Sequence, residues 1–476
     1  MTKLFIQTLM QTSGVAFGTS GARGLVKDMT ARLCYAYTKA FLQEVVGQAD
    51  QVVLGHDLRP SSPTIAAACA AAMRDMGYSV IYAGALPTPA LANFASTIKS
   101  PCIVVTGSHI PFDRNGLKFY RADGEITKAD EGLMRAAMVD VPDEINPLTL
   151  EIVDQSASIA YVNRYVEFFG RSSLMGMRIA IYEHSSVARD ILHEILIGLG
   201  AEVLPLGRTE IFVPIDTEAA RQEDIVQAQT WAETHQFDAI LSTDGDGDRP
   251  LIGDENGQWF HGDIVGILCA IYLKADTVVT PVSSNTAVEL CGSFKNVVRT
   301  KIGSPFVIAG MNQASTRSIV IGYEANGGFL LGSDVTRNNK ALKALPTRDA
   351  VLPMLALLCM AREQCVPLSK LSKNLPKRFT ASNRLQNFTN EKSKAIVNQL
   401  SSDLSITAKF LAPSAGAIVY MNEIDGLRFT FANGDIIHLR PSGNAPELRC
   451  YTESTSAANA ELLCSWALCH LADINL

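Results

Sequence analysis

The chain has 476 residues, 47% of them hydrophobic and 19% charged, with a formal net charge of −7. That length allows two to four domains with ample core. The absence of a long basic run argues against a nucleic-acid partner, and no apolar run approaches the roughly 18 residues of a membrane span, although an acidic chain can still hold a basic pocket for small anions.

The opening "MTKLFIQTLMQTSG" makes a poor secretory signal, because Gln7 breaks its apolar stretch and no small-residue cleavage site follows. The ten cysteines form no C-x-x-C pair. Most sit in apolar runs, as Cys69 and Cys359 do, and read as free thiols of a reducing compartment, the cytoplasm. "AFGTSGARG" is glycine-rich with Arg23 as its only charge, and suits either a phosphate loop or a flexible lead-in.

Residues 51–84 read strand, loop, helix, strand, with Ser62 as N-cap, Pro63 at the first helical position and Gly77 at the stop. In "VVTGSHIPFDRNGLKF" the strand Cys102 to Val105 runs into a turn bearing Ser108 and His109. An Asn-Gly turn and Lys118 follow. Residues 178–207 repeat the strand–loop–helix–strand scheme, with a helix ending near Gly198 or Gly200. Residues 276–303 give a shorter version closed by Gly303. The spacing of about one hundred residues is too long for a solenoid and fits three similar domains in tandem. Chance similarity among common βαβ units is the alternative.

"FDAILSTDGDGDRPLI" places Asp244, Asp246 and Asp248 after the strand Ala239 to Ser242. Three carboxylates at alternate positions repel one another unless a hard cation joins them, and magnesium suits a few carboxylates plus a phosphate. A calcium loop is the competing reading, since Glu255 falls at the twelfth position. Against it, Arg249 stands where the sixth position needs glycine. "GYEANGGFLLG" sets Glu324 and Asn326 in a glycine-rich loop, an acceptor and an amide suited to neighbouring sugar hydroxyls.

Pro376 to Thr380 reads as a linker. Beyond it, alternating apolar residues with turns at Asp425-Gly426 and Asn433-Gly434, then a closing amphipathic helix, predict a separate α+β domain. "HLRPSGNAPELRCYTES" offers Arg440, Ser442, Asn444 and Arg449 around a Pro-Ser-Gly turn, donors fit for a phosphate dianion or merely a hairpin with surface arginines.

In this order, "TGSHIP", "DGDGDR", "GYEANGG" and "RPSGNAPELR" resemble the phosphoserine, metal, sugar and phosphate loops of the α-D-phosphohexomutase family, most of all its bacterial phosphomannomutases serving GDP-mannose-derived surface sugars. The resemblance covers essentially the whole chain. It implies a heart-shaped α/β architecture of three tandem domains of like topology plus a smaller C-terminal α+β domain, at 1–155, 156–260, 261–377 and 378–476. It implies Ser108 as phosphoryl carrier and a magnesium ligand beside Asp244, Asp246 and Asp248. His109, Lys118 and Arg23 become nearby basic groups, with Lys118 suited to proton transfer. Glu324, Asn326, Arg249, Arg440, Ser442, Asn444 and Arg449 become substrate-binding.

The implied reaction converts mannose 6-phosphate and mannose 1-phosphate through a hexose 1,6-bisphosphate, which is also the activator. Glucose or glucosamine phosphates are alternative substrates. A magnesium-dependent phosphatase or a non-catalytic sugar-phosphate binder is the other class. Small hexose phosphates are the expected partners of a monomer or dimer, without nucleic acid or membrane. The chain departs from the family pattern at Asn326, where serine is usual, and at Gly328 and Ser304, where many or some members have histidine.

Overall fold

The computed structural model describes residues 1–18, 21–146, 149–314, 318–442 and 446–472, with only the backbone of Asn390. The chain divides into two compact units, one of residues 1–275 with 303–373, the other of 276–302 with 374–476.

The first unit holds three sheets in which a loop joins two antiparallel neighbours at a strand end. In the first, Gln51–His56 lies parallel to Ser79–Ala85 and Cys102–Val105, and Cys102–Val105 is antiparallel to Arg114–Arg121. The loop between those last two carries Ser108. Helices Ala31–Glu44 and Ser62–Asp75 pack with this sheet in one core that includes Phe41, Leu54 and Phe119.

In the second sheet Arg178–Tyr182 lies parallel to Glu202–Leu206 and to Ala239–Thr243. Ala239–Thr243 turns back antiparallel to Pro250–Gly253, and the aspartate loop is that turn. In the third, Val320–Tyr323 turns back antiparallel to Phe329–Leu331 through the loop bearing Glu324, and Phe329–Leu331 pairs with Leu345–Asp349. The repeated α/β scheme read from the sequence therefore places the three loops at equivalent turns.

In the second unit Thr277–Pro281 pairs parallel with Asn296–Thr300. An antiparallel sheet runs in the order Phe379–Gln386, Glu447–Ser454, Ile436–Pro441, Leu427–Phe431, Ile418–Asn422. Helix Ala457–Ala472 packs on it, and Gly426 and Gly434 take left-handed φ at their turns.

Three local expectations change. Ser62 is the first helical residue rather than the N-cap, because its hydroxyl is committed to Asp57 Oδ1 (2.6 Å) and Asn115 Nδ2 (2.9 Å). Asn115-Gly116 is no turn but part of Arg114–Arg121, where a Cβ on residue 116 would meet Ala22 O at 2.7 Å. Phe379 and Thr380 of the expected linker already begin a strand. Helices Asn390–Ser402 and Leu404–Leu411 lie between that strand and Ile418–Asn422, and Asp403 caps the second. All ten cysteines are free. Among the described residues no single helix is long and apolar enough to cross a membrane.

Candidate active site

The turn after Cys102–Val105 holds Ser108 with φ +53, a left-handed conformation unusual for a side-chain-bearing residue. Its backbone is tied down from below. Ser108 N donates to Thr106 Oγ1 (2.8 Å), which donates to Asp57 Oδ2 (2.8 Å). The buried Arg59 guanidinium donates to the carbonyls of Ser108, Ile110, Pro111 and Arg114 at 2.5–3.0 Å. A backbone strained in this way persists only where surrounding bonds over-determine it.

Ser108 Oγ donates to Asp244 Oδ2 at 2.7 Å. Gly245 makes this approach possible, since a Cβ there would lie 2.7 Å from Ser108 O. Asp244, Asp246 and Asp248 are all buried, and each offers a ligand oxygen within 4.8 Å of the others. Lys118 Nζ donates to Asp246 Oδ2 (2.6 Å) and Asp248 Oδ2 (2.7 Å), and Thr88 Oγ1 also donates to Asp246 Oδ2 (2.6 Å).

The donor set fits a hard cation. Asp246 Oδ1 and Asp248 Oδ1 are buried without a hydrogen-bond partner, the latter with only Arg249 Nε at 3.7 Å, and a buried carboxylate oxygen left without a donor is costly. Burial, then Asp246 and Asp248, pushes the Asp244 carboxyl up. Burial works against the charge of Asp248 too, yet Arg348, Lys118 and Arg249 outweigh it and hold that carboxyl far below its usual range. The site can therefore bind a metal through its aspartates. Glu255 bonds Ser369 instead (2.5 Å), which removes the calcium-loop reading.

His109, which the resemblance makes a nearby basic group, is uncharged. Arg249 Nη1 donates to His109 Nδ1 at 2.6 Å, so the ring is a neutral acceptor with its proton on Nε2. The Arg249 charge, burial and Arg23 together bring its pKa down to about 2. Arg23, on Ala22–Leu25, is brought down to about 10 by burial and then by Arg249, and it also feels Asp246 and Asp248.

Glu324 is buried, and Arg348 Nη1 reaches its Oε2 at 3.4 Å. Asn326 is partly used locally, because its Oδ1 accepts from Gly328 N at 2.9 Å. Ser304 Oγ accepts from Arg348 Nη1 at 3.0 Å. Sequence reasoning missed Arg348, Asp57 and Arg59. Only the "DLR" after a strand hinted at the last two.

Arg440, Ser442 and Arg449 belong to the second unit. Arg440 and Arg449 face each other across neighbouring strands. Arg440 Nε donates to Asp425 Oδ2 (2.8 Å), and Arg449 lies 3.6 Å from Glu447 Oε2. Ser442 is buried, its N donating to Glu447 O (2.9 Å). Asn444 lies outside the described residues.

The chain matches four family models of the phosphoglucomutase/phosphomannomutase domains: α/β/α domain I over residues 14–138, domain II over 159–257, domain III over 261–379 and the C-terminal domain over 388–465. A phosphomannomutase of Salmonella muenchen is 48% identical over 95% of this chain and 94% of its own. One of Sinorhizobium fredii is 42% identical over 96% and 98%. The crystal structure of a phosphoglucomutase/phosphomannomutase family protein from Burkholderia thailandensis has the same fold, with a TM-score of 0.74 at 22% identity over 96% of this chain and 97% of that one.

Proposed function

Because the chain belongs to the phosphoglucomutase/phosphomannomutase family, we propose that it interconverts mannose 6-phosphate and mannose 1-phosphate, with Ser108 as the phosphoryl carrier and a hexose 1,6-bisphosphate as intermediate and activator. The relatives named above support mannose as the sugar. The observation that carries the mechanism is the Ser108 hydroxyl, 2.7 Å from one of three buried aspartates.

In the resting enzyme Ser108 carries a phosphoryl group. A hydroxyl of the bound sugar phosphate attacks phosphorus, the new O–P bond forms, and the bond to Ser108 Oγ breaks. The net proton movement is from the sugar hydroxyl to Ser108 Oγ: Lys118, on Arg114–Arg121 and held between Asp246 and Asp248, would give its proton to Ser108 Oγ and take the hydroxyl's proton in return. Magnesium held by Asp244, Asp246, Asp248 and Ser108 would neutralise charge on the transferring group. Arg23 and Arg249 supply further positive charge there, and neutral His109 orients Arg249. The bisphosphate then turns and returns its other phosphoryl to Ser108.

A sugar bound in two orientations needs a hydroxyl reader and a fixed phosphate anchor. Glu324, with the amide of Asn326, suits the first. Arg440 and Arg449 suit the second, together with Ser442 and Asn444. Like charges directly opposite on two strands repel, so this pair is well placed for a bound anion. The competing reading is a phosphatase, in which water takes the phosphoryl from Ser108. Conversion of mannose, glucose and N-acetylglucosamine 1-phosphates, measured beside phosphate release, separates the two. Phosphate release without any 6-phosphate would reject the mutase.

A further inference from the structure

Arg348 is the penultimate residue of the strand Leu345–Asp349, within "PTRDA", and is 2% exposed. A buried guanidinium persists only where its charge and its donors are met. Its Nε and Nη2 both donate to Asp248 Oδ2, at 3.0 and 2.8 Å. Its Nη1 donates to Ser304 Oγ (3.0 Å) and reaches Glu324 Oε2 (3.4 Å). One side chain thus joins the aspartate loop, the Glu324 loop and the start of the helix Ser304–Asn312.

Its aliphatic stem has a second consequence. A Cβ on residue 328 would lie 2.6 Å from Arg348 Cδ and 2.9 Å from its Cγ. Position 328 carries no side chain because Arg348 occupies the space one would need. The two positions at which this chain departs from histidine, 304 and 328, therefore touch the same arginine.

We propose that Arg348 is the positioning residue for sugar recognition: it orients the Glu324 carboxylate and couples it to Asp248, in the space that a side chain at 328 would otherwise fill. The proposal rests on the reading of Glu324 as the acceptor of sugar hydroxyls. Through Glu324 Arg348 acts on substrate binding, read in KM and in calorimetric affinity, while its bonds to Asp248 bear on the metal loop and are read in kcat. A lysine offers one point charge in place of the planar fork and cannot reproduce the contacts that three Arg348 nitrogens make with Asp248, Ser304 and Glu324.

The test is a double-mutant cycle on Arg348→Ala and Glu324→Ala, with KM and kcat measured for mannose and glucose 1-phosphates and mannose 6-phosphate binding measured by calorimetry. Arg348→Ala is expected to raise KM and weaken calorimetric binding by roughly tenfold, the scale of one hydrogen bond to a charged group. In the Glu324→Ala background the same change should cost less than about twofold. Arg348→Lys should recover only part of the loss. Gly328→His alone should lower Tm for want of space, whereas Gly328→His with Arg348→Gly should restore Tm and part of kcat/KM. That last pair decides the matter even if Arg348→Ala does not fold. An Arg348→Ala enzyme with unchanged KM and binding would overturn the proposal. So would a full loss that persists without Glu324, or a Gly328→His variant that gains nothing from Arg348→Gly. If Glu324→Ala is itself silent while mutase activity is intact, the sugar-loop reading fails, and the proposal fails with it.

Discussion

Ser108 Oγ lies 2.7 Å from Asp244 Oδ2, a hydrogen bond between residues 136 positions apart. It joins the tip of one α/β turn to the equivalent turn of the next. The serine's donor goes to the aspartate, while His109 Nδ1 stands farther off at 3.4 Å. The hydroxyl is thus set against the group that would carry the metal, which fits the proposed phosphoryl carrier better than a serine–histidine nucleophile pair.

Removing that hydroxyl leaves the surrounding cations in place. Ser108→Ala should lower mutase turnover by at least about a thousandfold, since the covalent carrier is gone. Mannose 6-phosphate should still bind with affinity within about threefold, because its anchoring charges remain. Steady-state assays beside calorimetry check both halves, and a variant with near-normal turnover would rule out the carrier role.

The orphaned oxygens Asp246 Oδ1 and Asp248 Oδ1 predict a divalent-metal requirement. A chelator should abolish activity and added magnesium should restore it. Asp246→Asn removes one charge of the triad and should weaken magnesium binding on the order of tenfold. Titration calorimetry with magnesium reads this directly. Full activity in the presence of chelator would contradict the catalytic metal site.

Arg440 is proposed to hold the phosphate that is not being transferred. A hydrogen bond to a charged group contributes about 1.5–3 kcal/mol, so Arg440→Ala should lower kcat/KM by roughly tenfold to two-hundredfold. A weakened anchor should also release more bisphosphate per turnover. The variant should then need more added hexose 1,6-bisphosphate to stay active. A change within about twofold and no extra bisphosphate would reduce the turn to an ordinary hairpin.

His438 gives a pH prediction unrelated to catalysis. It is buried, its Nε2–H donating to the Asp425 carbonyl at 2.6 Å, and burial brings its pKa from 6.5 down to about 4. The unfolded chain therefore binds a proton at a higher pH than the folded one. The stability gained from neutral His438 is fully present above pH 6.5 and is lost as the pH falls towards 4. Such a shift corresponds to at most about 3 kcal/mol. The Tm of the wild type should fall more steeply with acid over this window than that of His438→Gln. Parallel Tm curves would disprove the assignment.

The strands and turns that carry the site were legible because each combines a β-rich run with a compact polar motif. Both signals are local. What escaped depends on pairings distant in the chain. Arg348 meets Asp248 across 100 positions, and nothing in "PTRDA" announces a buried cation. Arg59 sits in an unremarkable "DLR", yet four carbonyls of the Ser108 turn converge on it. Asn115-Gly116 has the sequence of a hairpin turn but lies in a strand, since the neighbouring strand Ala22–Leu25 crowds Gly116 with a carbonyl. The resemblance makes His109 a basic group, yet it is neutral because Arg249, distant in the chain, donates to it.

The most direct test of the account follows the phosphoryl group itself. The protein is treated with hexose 1,6-bisphosphate labelled with ³²P, digested, and its peptides mapped, before and after a chase with unlabelled mannose 6-phosphate. Label is expected on the peptide containing Ser108, with transfer during the chase to mannose 1,6-bisphosphate and then to mannose 1-phosphate. Label on another residue, or label that leaves Ser108 only as inorganic phosphate, would contradict the account.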